Sequence, residues 1–378
     1  MPWSPRDAMS LREEFVLLAR QEDADIRQLC RQFSISPTTG YKLLKRFNEL
    51  GAAGLAERSR RPASSPGRTS AEVERDVVAV RQAHPAWGGR KINARLRELG
   101  HAKVPPASTI TSILHRHGLV SAVASEAATP WQRFEHAHPN ALWQIDFKGH
   151  FETAAGRCHP LTLLDDHSRY NLLLHACSRT HTAAVQEALA GAFQRYGMPM
   201  RINADNGPPW GSPRTPEHGL TDLTIWLIRL GIKVSHSRPY HPQTNGKLER
   251  FHRSLKAEVL NGHSFSDLPQ AQLAFDQWRL VYNQQRPHEA LDMAAPCTRY
   301  RHSKREFTPT LGPIEYAPGD QVTMVKWDGK LTFEGKLLRV SNALKGLPIA
   351  FRPIQERDGC YDVYFCHYKF MQLDLSLL

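Results

Sequence analysis

The sequence predicts a multidomain chain: two all-α units, an α/β core built on a five-stranded sheet, and a small β-barrel at the carboxyl end. Three observations predict it. Apolar residues recur at helical spacing as far as Val120, the pattern changes to alternation at Leu142, and turn-flanked extended runs return beyond residue 314. With 378 residues the chain exceeds one ordinary domain, and each unit is long enough to bury a core.

Charge narrows the partner. Lys and Arg total 49 against 37 Asp and Glu, a formal net charge of +12, which suits a polyanion. Charge alone does not separate DNA from RNA or an acidic membrane surface. No apolar run approaches the roughly 20 residues of a spanning helix, and the opening MPWSPRDAMS lacks an apolar signal core. No membrane partner is expected. The cysteines, at 30, 158, 177, 297, 360 and 366, form no CxxC pair, so neither a disulfide framework nor a structural zinc site is indicated. A soluble protein of a reducing intracellular compartment is the expectation.

Residues 1–56 read as a helix-turn-helix unit. Ile26, Leu29, Cys30 and Phe33 sit at helical spacing, and Ser36 followed by Pro37 is a good N-cap and first helical residue. Tyr41, Leu44 and Phe47 then mark the buried side of the second helix, leaving Thr38, Thr39, Lys42, Lys45 and Arg46 outward, where a DNA major groove would be read. The plain alternative is a helical hairpin with a solvated basic face. Residues 57–70 form a linker whose Arg58, Arg60, Arg61 and Arg68 suit phosphate contact or simple solvation. From 71 to 120 a second helical unit follows, with Ile92, Leu96 and Leu99 on one helix and Ile110, Ile113 and Leu114 on another that starts at Ser108 or Thr109. Two tandem units joined by an Arg-rich linker favour DNA over RNA. Residues 121–140, rich in Ala, Ser and Pro, read as a second linker.

The core spans 141–290. In LWQIDFKG, Trp143, Ile145 and Phe147 alternate with Gln144, Asp146 and Lys148, so Asp146 points away from the most apolar face. HPLTLLDD and YNLLLHAC are the next strands, joined by a turn at His167 to Arg169; Asp165 and Asp166 are assigned to that turn rather than to chemistry. A helix follows, then the strand MRINADNG, which ends on Asp205 beside the turn former Asn206-Gly207. LTDLTIWLIRL is helical and GIKVSHS is a fifth strand. In HPQTNGKLERFH, Asn245 is a candidate cap. Winding onward puts Leu248, Phe251, Leu255 and Val259 on one stripe and Glu249, Arg253 and Lys256 opposite it. A salt-bridge ladder is the plain reading of that polar face. His252 is expected at the surface, and His241 and Gln243 in a loop. Trp210 reads as a loop anchor. Two strand-end aspartates with one helical glutamate instead suit hard divalent cations, which favour oxygen ligands.

The ordered set LWQIDFKG, LLDDHSRY, NADNG, RPYHPQTNGKLERFHRSLKAE and YNQQRPHEAL resembles the motifs of bacterial insertion-sequence transposases with a retroviral-integrase-type core. The resemblance covers most of the chain. It implies an RNase H-like fold with a mixed sheet, and an acidic triad at Asp146, Asp205 and Glu249 holding two Mg²⁺ or Mn²⁺ ions for in-line displacement at phosphorus. It also implies Lys256 against terminal DNA, joined by Arg253, Arg250 and Lys247 from the same helix. Double-stranded DNA, as element ends and target, is the implied partner, bound by a homo-oligomer on paired ends in the bacterial cytoplasm. One departure is the spacing: 43 residues separate Asp205 from Glu249, more than usual, with the excess in PPWGSPRTPEHG. Two rival readings are a non-catalytic DNA-binding regulator and a nuclease that cuts without joining. YNQQRPHEAL is expected to lead away from the core. Asp328-Gly329 and Asp358-Gly359 signal hairpins in the barrel expected over 314–378.

Overall fold

The computed structural model describes residues 8–56, 68–120, 135–211, 220–236, 246–355 and 357–377. It divides into two compact units, Met1–Arg68 and Thr69–Leu378.

The first unit has three helices, α1 (Ala8–Ala19), α2 (Ile26–Gln32) and α3 (Pro37–Leu50). Asp25 caps α2 by accepting from Arg27 N and Gln28 N. Ser36 caps α3 by accepting from Thr39 N, and Pro37 opens the helix. The sequence pattern missed α1, which contributes Phe15 and Val16 to the core. Of the expected buried face of α3, Leu44 and Phe47 pack on the core but Tyr41 does not. Tyr41 is 54% exposed, and the inward stripe is Gly40, Leu43, Leu44 and Phe47. The reason is close packing at Gly40: a Cβ there would lie 2.5 Å from Cys30 Sγ and 2.8 Å from Phe15 Cζ. The glycine lets α3 approach Phe15 and Cys30 closely, with Gly40 inward and its neighbour Tyr41 outward.

The second unit begins with α4 (Ala71–Ala83), α5 (Gly89–Glu98) and α6 (Ala107–Arg116), closed around Val77, Trp87, Ile92, Leu96, Ile110, Ile113 and Leu114. Leu99 lies just past α5 and is exposed. α6 starts at Ala107, one residue ahead of the expected hydroxyls, behind Pro106. These helices lean on the core through Arg95 to Gln285, Arg90 to Glu289, and Val281.

The core sheet is made of β1 (Trp143–Phe147), β2 (Phe151–Thr153), β3 (Gly156–Asp165), β4 (Asn171–Cys177), β5 (Arg201–Ala204) and β6 (Lys233–His236). Its main order is β4-β3-β1-β5-β6, antiparallel among β4, β3 and β1 and parallel among β1, β5 and β6. This is a mixed RNase H-like sheet. It has six strands where five were expected, because three-residue β2 forms a hairpin with the start of β3. α7 (Thr182–Tyr196) and α8 (Asp222–Arg229) bury Trp143, Ile145, Leu161 and Leu163 on one face. α9 (Gly246–Leu255), its π-helical extension Lys256–Leu260, and α10 (Leu268–Gln284) cover Leu164 and Leu174 on the other.

YNQQRPHEAL turns back into the core instead of leaving it. Asn283 exchanges two hydrogen bonds with the backbone of Asn171 on β4, at 2.8 and 2.9 Å. Arg286 pairs with Glu258 at 2.9 Å, and donates to Ser254 of α9. The two ionic side chains are only 9% and 8% exposed.

The carboxyl-terminal strands are β7 (Gln321–Met324), β8 (Lys330–Phe333), β9 (Lys336–Arg339), β10 (Pro348–Pro353), β11 (Cys360–Phe365) and β12 (Tyr368–Asp374). They form a four-stranded antiparallel sheet, β12-β11-β10-β7, and a two-stranded ribbon, β8-β9; the hydrogen-bonded strands of the described residues do not by themselves make the expected small barrel. The Asp358-Gly359 turn joins a true hairpin, β10 to β11. At Asp328-Gly329 the chain turns, but β7 pairs with β10 and β8 with β9. Phe333, Phe351 and Phe365 share one apolar cluster with Phe193 and Leu227 of the core, so these sheets extend the core instead of closing on themselves.

Arg286→Leu leaves Glu258 buried without its counter-charge and is expected to lower unfolding free energy by about 3–5 kcal/mol. Urea unfolding followed by Trp278, whose indole donates to Glu258 at 2.9 Å, reads this directly. A loss under about 1 kcal/mol, the scale of surface pairs, would show the pair to be effectively solvated.

Candidate active site and nucleic-acid interface

Parallel neighbours β1 and β5 meet where the sheet switches from antiparallel to parallel, a position where α/β sheets open a crevice at their strand ends. Asp146 lies near the carboxyl end of β1, and Asp205 directly follows β5. Glu249 stands in the first turn of α9, exposed opposite the stripe of Leu248, Phe251 and Leu255 that holds the helix on the sheet. That stripe is the one the sequence predicts.

Burial raises the Asp146 carboxyl to about 6, against a hydrogen bond from the backbone at Phe147, and the like charges of Asp205 and Glu249 push it further in the same direction. Asp205 and Glu249 thus lie near enough for their charges to act on Asp146. Asp205 accepts at 2.7 Å from Asn206 N, as expected for a turn that aims it. Among the described residues none of the three carboxylates has a cationic side chain as ion-pair partner, and no three metal-ligating side chains are drawn tightly enough together to hold an ion. The donor set fits a hard divalent cation that takes its remaining ligands from water and phosphate.

Two residues that the sequence left without a role join the acids. Lys148, two positions beyond Asp146, has its amine lowered by burial and then by the nearby charge of Lys256. Strand alternation was the signal for Lys148. His252 is half-buried, where an exposed position was expected. Its Nε2 lies 2.9 Å from Thr162 Oγ1, which donates to the Asp146 carbonyl oxygen at 2.9 Å. Burial, then Lys148, pushes this imidazole down to about 4.

The other expected contacts distribute differently. Lys256, Arg253 and Arg250 are exposed, but Arg250 faces α5, where its charge helps to hold the Lys91 amine down, behind burial and Arg286. Lys247, expected at the DNA surface, turns inward: it ion-pairs with Asp166 and donates to the Asp166 carbonyl oxygen at 3.3 Å. Asp166 also accepts from Gln144 Nε2 and His136 N, while Asp165 accepts from Asn140 N, Ser168 N and Ser168 Oγ. These buried acids hold the turn, as expected. Trp210 is buried 6.1 Å from the Phe147 ring and anchors its loop. Thr38, Thr39 and Lys42 lie exposed on α3, whereas Arg46 donates to Ala56 O and staples the end of its own unit. Arg58, Arg60, Arg61, His241, Gln243, Asn245 and most of the 208–219 insertion lie outside the described residues.

A folded-state carboxyl raised to about 6 from 3.8 makes the metal-free fold bind an extra proton between those values, so its stability declines as pH rises through them and the penalty is complete above about 6. Asp146→Asn is accordingly expected to stabilise the protein in EDTA at pH 7.5 by on the order of 2 kcal/mol and to lose the advantage below about pH 4. Urea unfolding at both pH values checks it; equal effects at both would remove the charge crowding.

Family models match in an order that follows these elements. A helix-turn-helix domain matches residues 11–63, a homeodomain-like domain 39–114, integrase core domains 136–242 and 230–296, and the IS481 family transposase C-terminal domain 320–377. An uncharacterized 31.7 kDa protein of insertion element IS407 from Burkholderia multivorans is 30% identical over 158 residues, covering 42% of this chain and 54% of that protein. The chain thus spans about half the length of that relative. An uncharacterized 39.2 kDa protein of insertion element IS476 from Xanthomonas euvesicatoria is 27% identical over 252 residues, covering 65% and 69%. The HTLV-2 integrase catalytic core solved with magnesium superposes at a TM-score of 0.34 and 20% identity, over 44% of this chain and 99% of that one. Carrying these domains in this order, the chain belongs to the insertion-sequence transposases with an integrase core.

Proposed function

We propose that the protein binds the ends of a mobile DNA element, cleaves them, and joins the freed 3′-hydroxyls to target DNA. What supports this reading is that Asp205, at the end of β5, and Glu249, on α9, lie near enough for their charges to act on the Asp146 carboxyl of β1, and that the charge of Lys256 acts on Lys148 two positions beyond it. In cleavage, water bonds to phosphorus as the bond to the element's 3′-oxygen breaks; in joining, that 3′-hydroxyl bonds to a target phosphorus and a target 3′-oxygen leaves. Two Mg²⁺ or Mn²⁺ ions, when bound by the three carboxylates, would supply charge neutralisation and lower the pKa of the attacking hydroxyl. The chain's own part is placement. Lys148, Lys256 and Arg253 hold phosphates against the carboxylates, where the transition state is most negative. The α1–α3 and α4–α6 units supply sequence recognition through the exposed faces of α3 and α6. Joining two ends calls for at least two copies. No helix among the described residues is long and apolar enough to cross a membrane.

The deciding experiment mixes protein, labelled DNA from the flanks of its gene, a plasmid target and Mg²⁺. Wild type is expected to give joined product; Asp146→Asn and Glu249→Gln are expected to bind end DNA and give none. Cleaved ends without joining would make it a nuclease, and sequence-specific binding with neither product a regulator. Lys148→Ala and Lys256→Ala are each expected to reduce the slope of log affinity against log salt by about one. An unchanged slope would return that lysine to a solvated surface role.

A further inference from the structure

His252 sits one helical turn beyond Glu249 and reaches across to the strand pair that carries Asp146. The contact runs through Thr162, which is fully buried and lies opposite Asp146 in the β1–β3 register. Proton counting fixes its direction. The Thr162 hydroxyl has one proton and gives it to the Asp146 carbonyl oxygen, so it can only accept from His252. The imidazole must therefore carry its proton on Nε2. A neutral ring satisfies this, and the buried site with Lys148 nearby keeps the ring neutral. Nothing else among the described hydrogen bonds links the polar face of α9 to the backbone of β1. The apolar stripe fixes how close α9 comes to the sheet and the Lys247–Asp166 and Arg286–Ser254 contacts hold its ends, while the bond to Thr162 is the directional contact at the level of Asp146 and Glu249. Small displacements matter for such a site, since about 1 Å of misplacement can cost on the order of 100-fold in rate.

We propose that His252 is a positioning residue of the carboxylate site: by donating to Thr162 it sets the spacing between Asp146 on β1 and Glu249 on α9. It rests on the proposed role of the three carboxylates. A histidine that only filled space would be replaceable by any side chain of similar volume. A positioning donor is replaceable only by another donor at the same reach.

The test uses the full chain and two readouts: Mn²⁺ binding by calorimetry without DNA, and joining kinetics with end DNA. Asp146→Asn identifies the Mn²⁺ site. His252→Leu and Thr162→Val are each expected to weaken Asp146-dependent Mn²⁺ binding and lower kcat by about 10–100-fold, with KM for end DNA unchanged. The double variant is expected to be no worse than either single one. His252→Gln, whose amide proton reaches a position like that of Nε2, and Thr162→Ser are expected to recover most of the loss. Thermal unfolding confirms that each variant folds. Wild-type Mn²⁺ affinity and kcat in folded His252→Leu would overturn the proposal, as would a His252→Gln variant as deficient as His252→Leu. Mn²⁺ affinity indifferent to Asp146→Asn would instead overturn the reading of the carboxylates, and the role of His252 with it.

Discussion

The packing of α9 is the contact on which the rest of the site depends. Leu248, Phe251, Leu255 and Val259 bury against Leu164 and Leu174 of the sheet and Phe275, Trp278 and Tyr282 of α10. At roughly 1.5–3 kcal/mol for each large apolar side chain withdrawn from water, this stripe outweighs any pairing available to the exposed face. The helix can therefore carry Glu249 toward two other carboxylates although their repulsion opposes it. Like charges are held close here by apolar burial on the other side of the same helix.

Polar clamps hold the two ends of that segment. Lys247 and Asp166 tie the first turn of α9 to the loop after β3, and Arg286 with Glu258 ties the π-helical extension to the segment after α10. Both pairs are largely withdrawn from solvent, and their desolvation is offset only because each acid also accepts from a neutral donor, Gln144 or Trp278. Their contribution is to register more than to net stability. Between them, His252 and Thr162 bridge helix and strand at the level of the acids.

The basic residues divide by what they face. Lys148 and Lys256 crowd one another beside the acids, while Lys247, Arg286 and Arg46 are occupied by acceptors of the chain itself. Pairing with internal acids leaves the net charge of +12 unchanged, but it withdraws Lys247 and Arg286 from the surface offered to a polyanion.

The sequence by itself determined the elements whose pattern is local: the cap at Ser36, the alternation of β1, the apolar stripe of α9, and the three acids with their order along the chain. Those signals are legible because helix and strand periods act on neighbours a few residues apart. Only the tertiary structure decided which face of α3 turns inward, since the close approach at Gly40 depends on Phe15 and Cys30 from other helices. It likewise decided that the carboxyl-terminal strands stay as two sheets on a shared core, because strand partners are chosen across long loops. The inward turn of Lys247, the burial of His252 and the return of YNQQRPHEAL to α9 were hidden for the same reason. Each is set by a partner distant in the chain, Asp166, Thr162 or Glu258, and no local period encodes such a pairing.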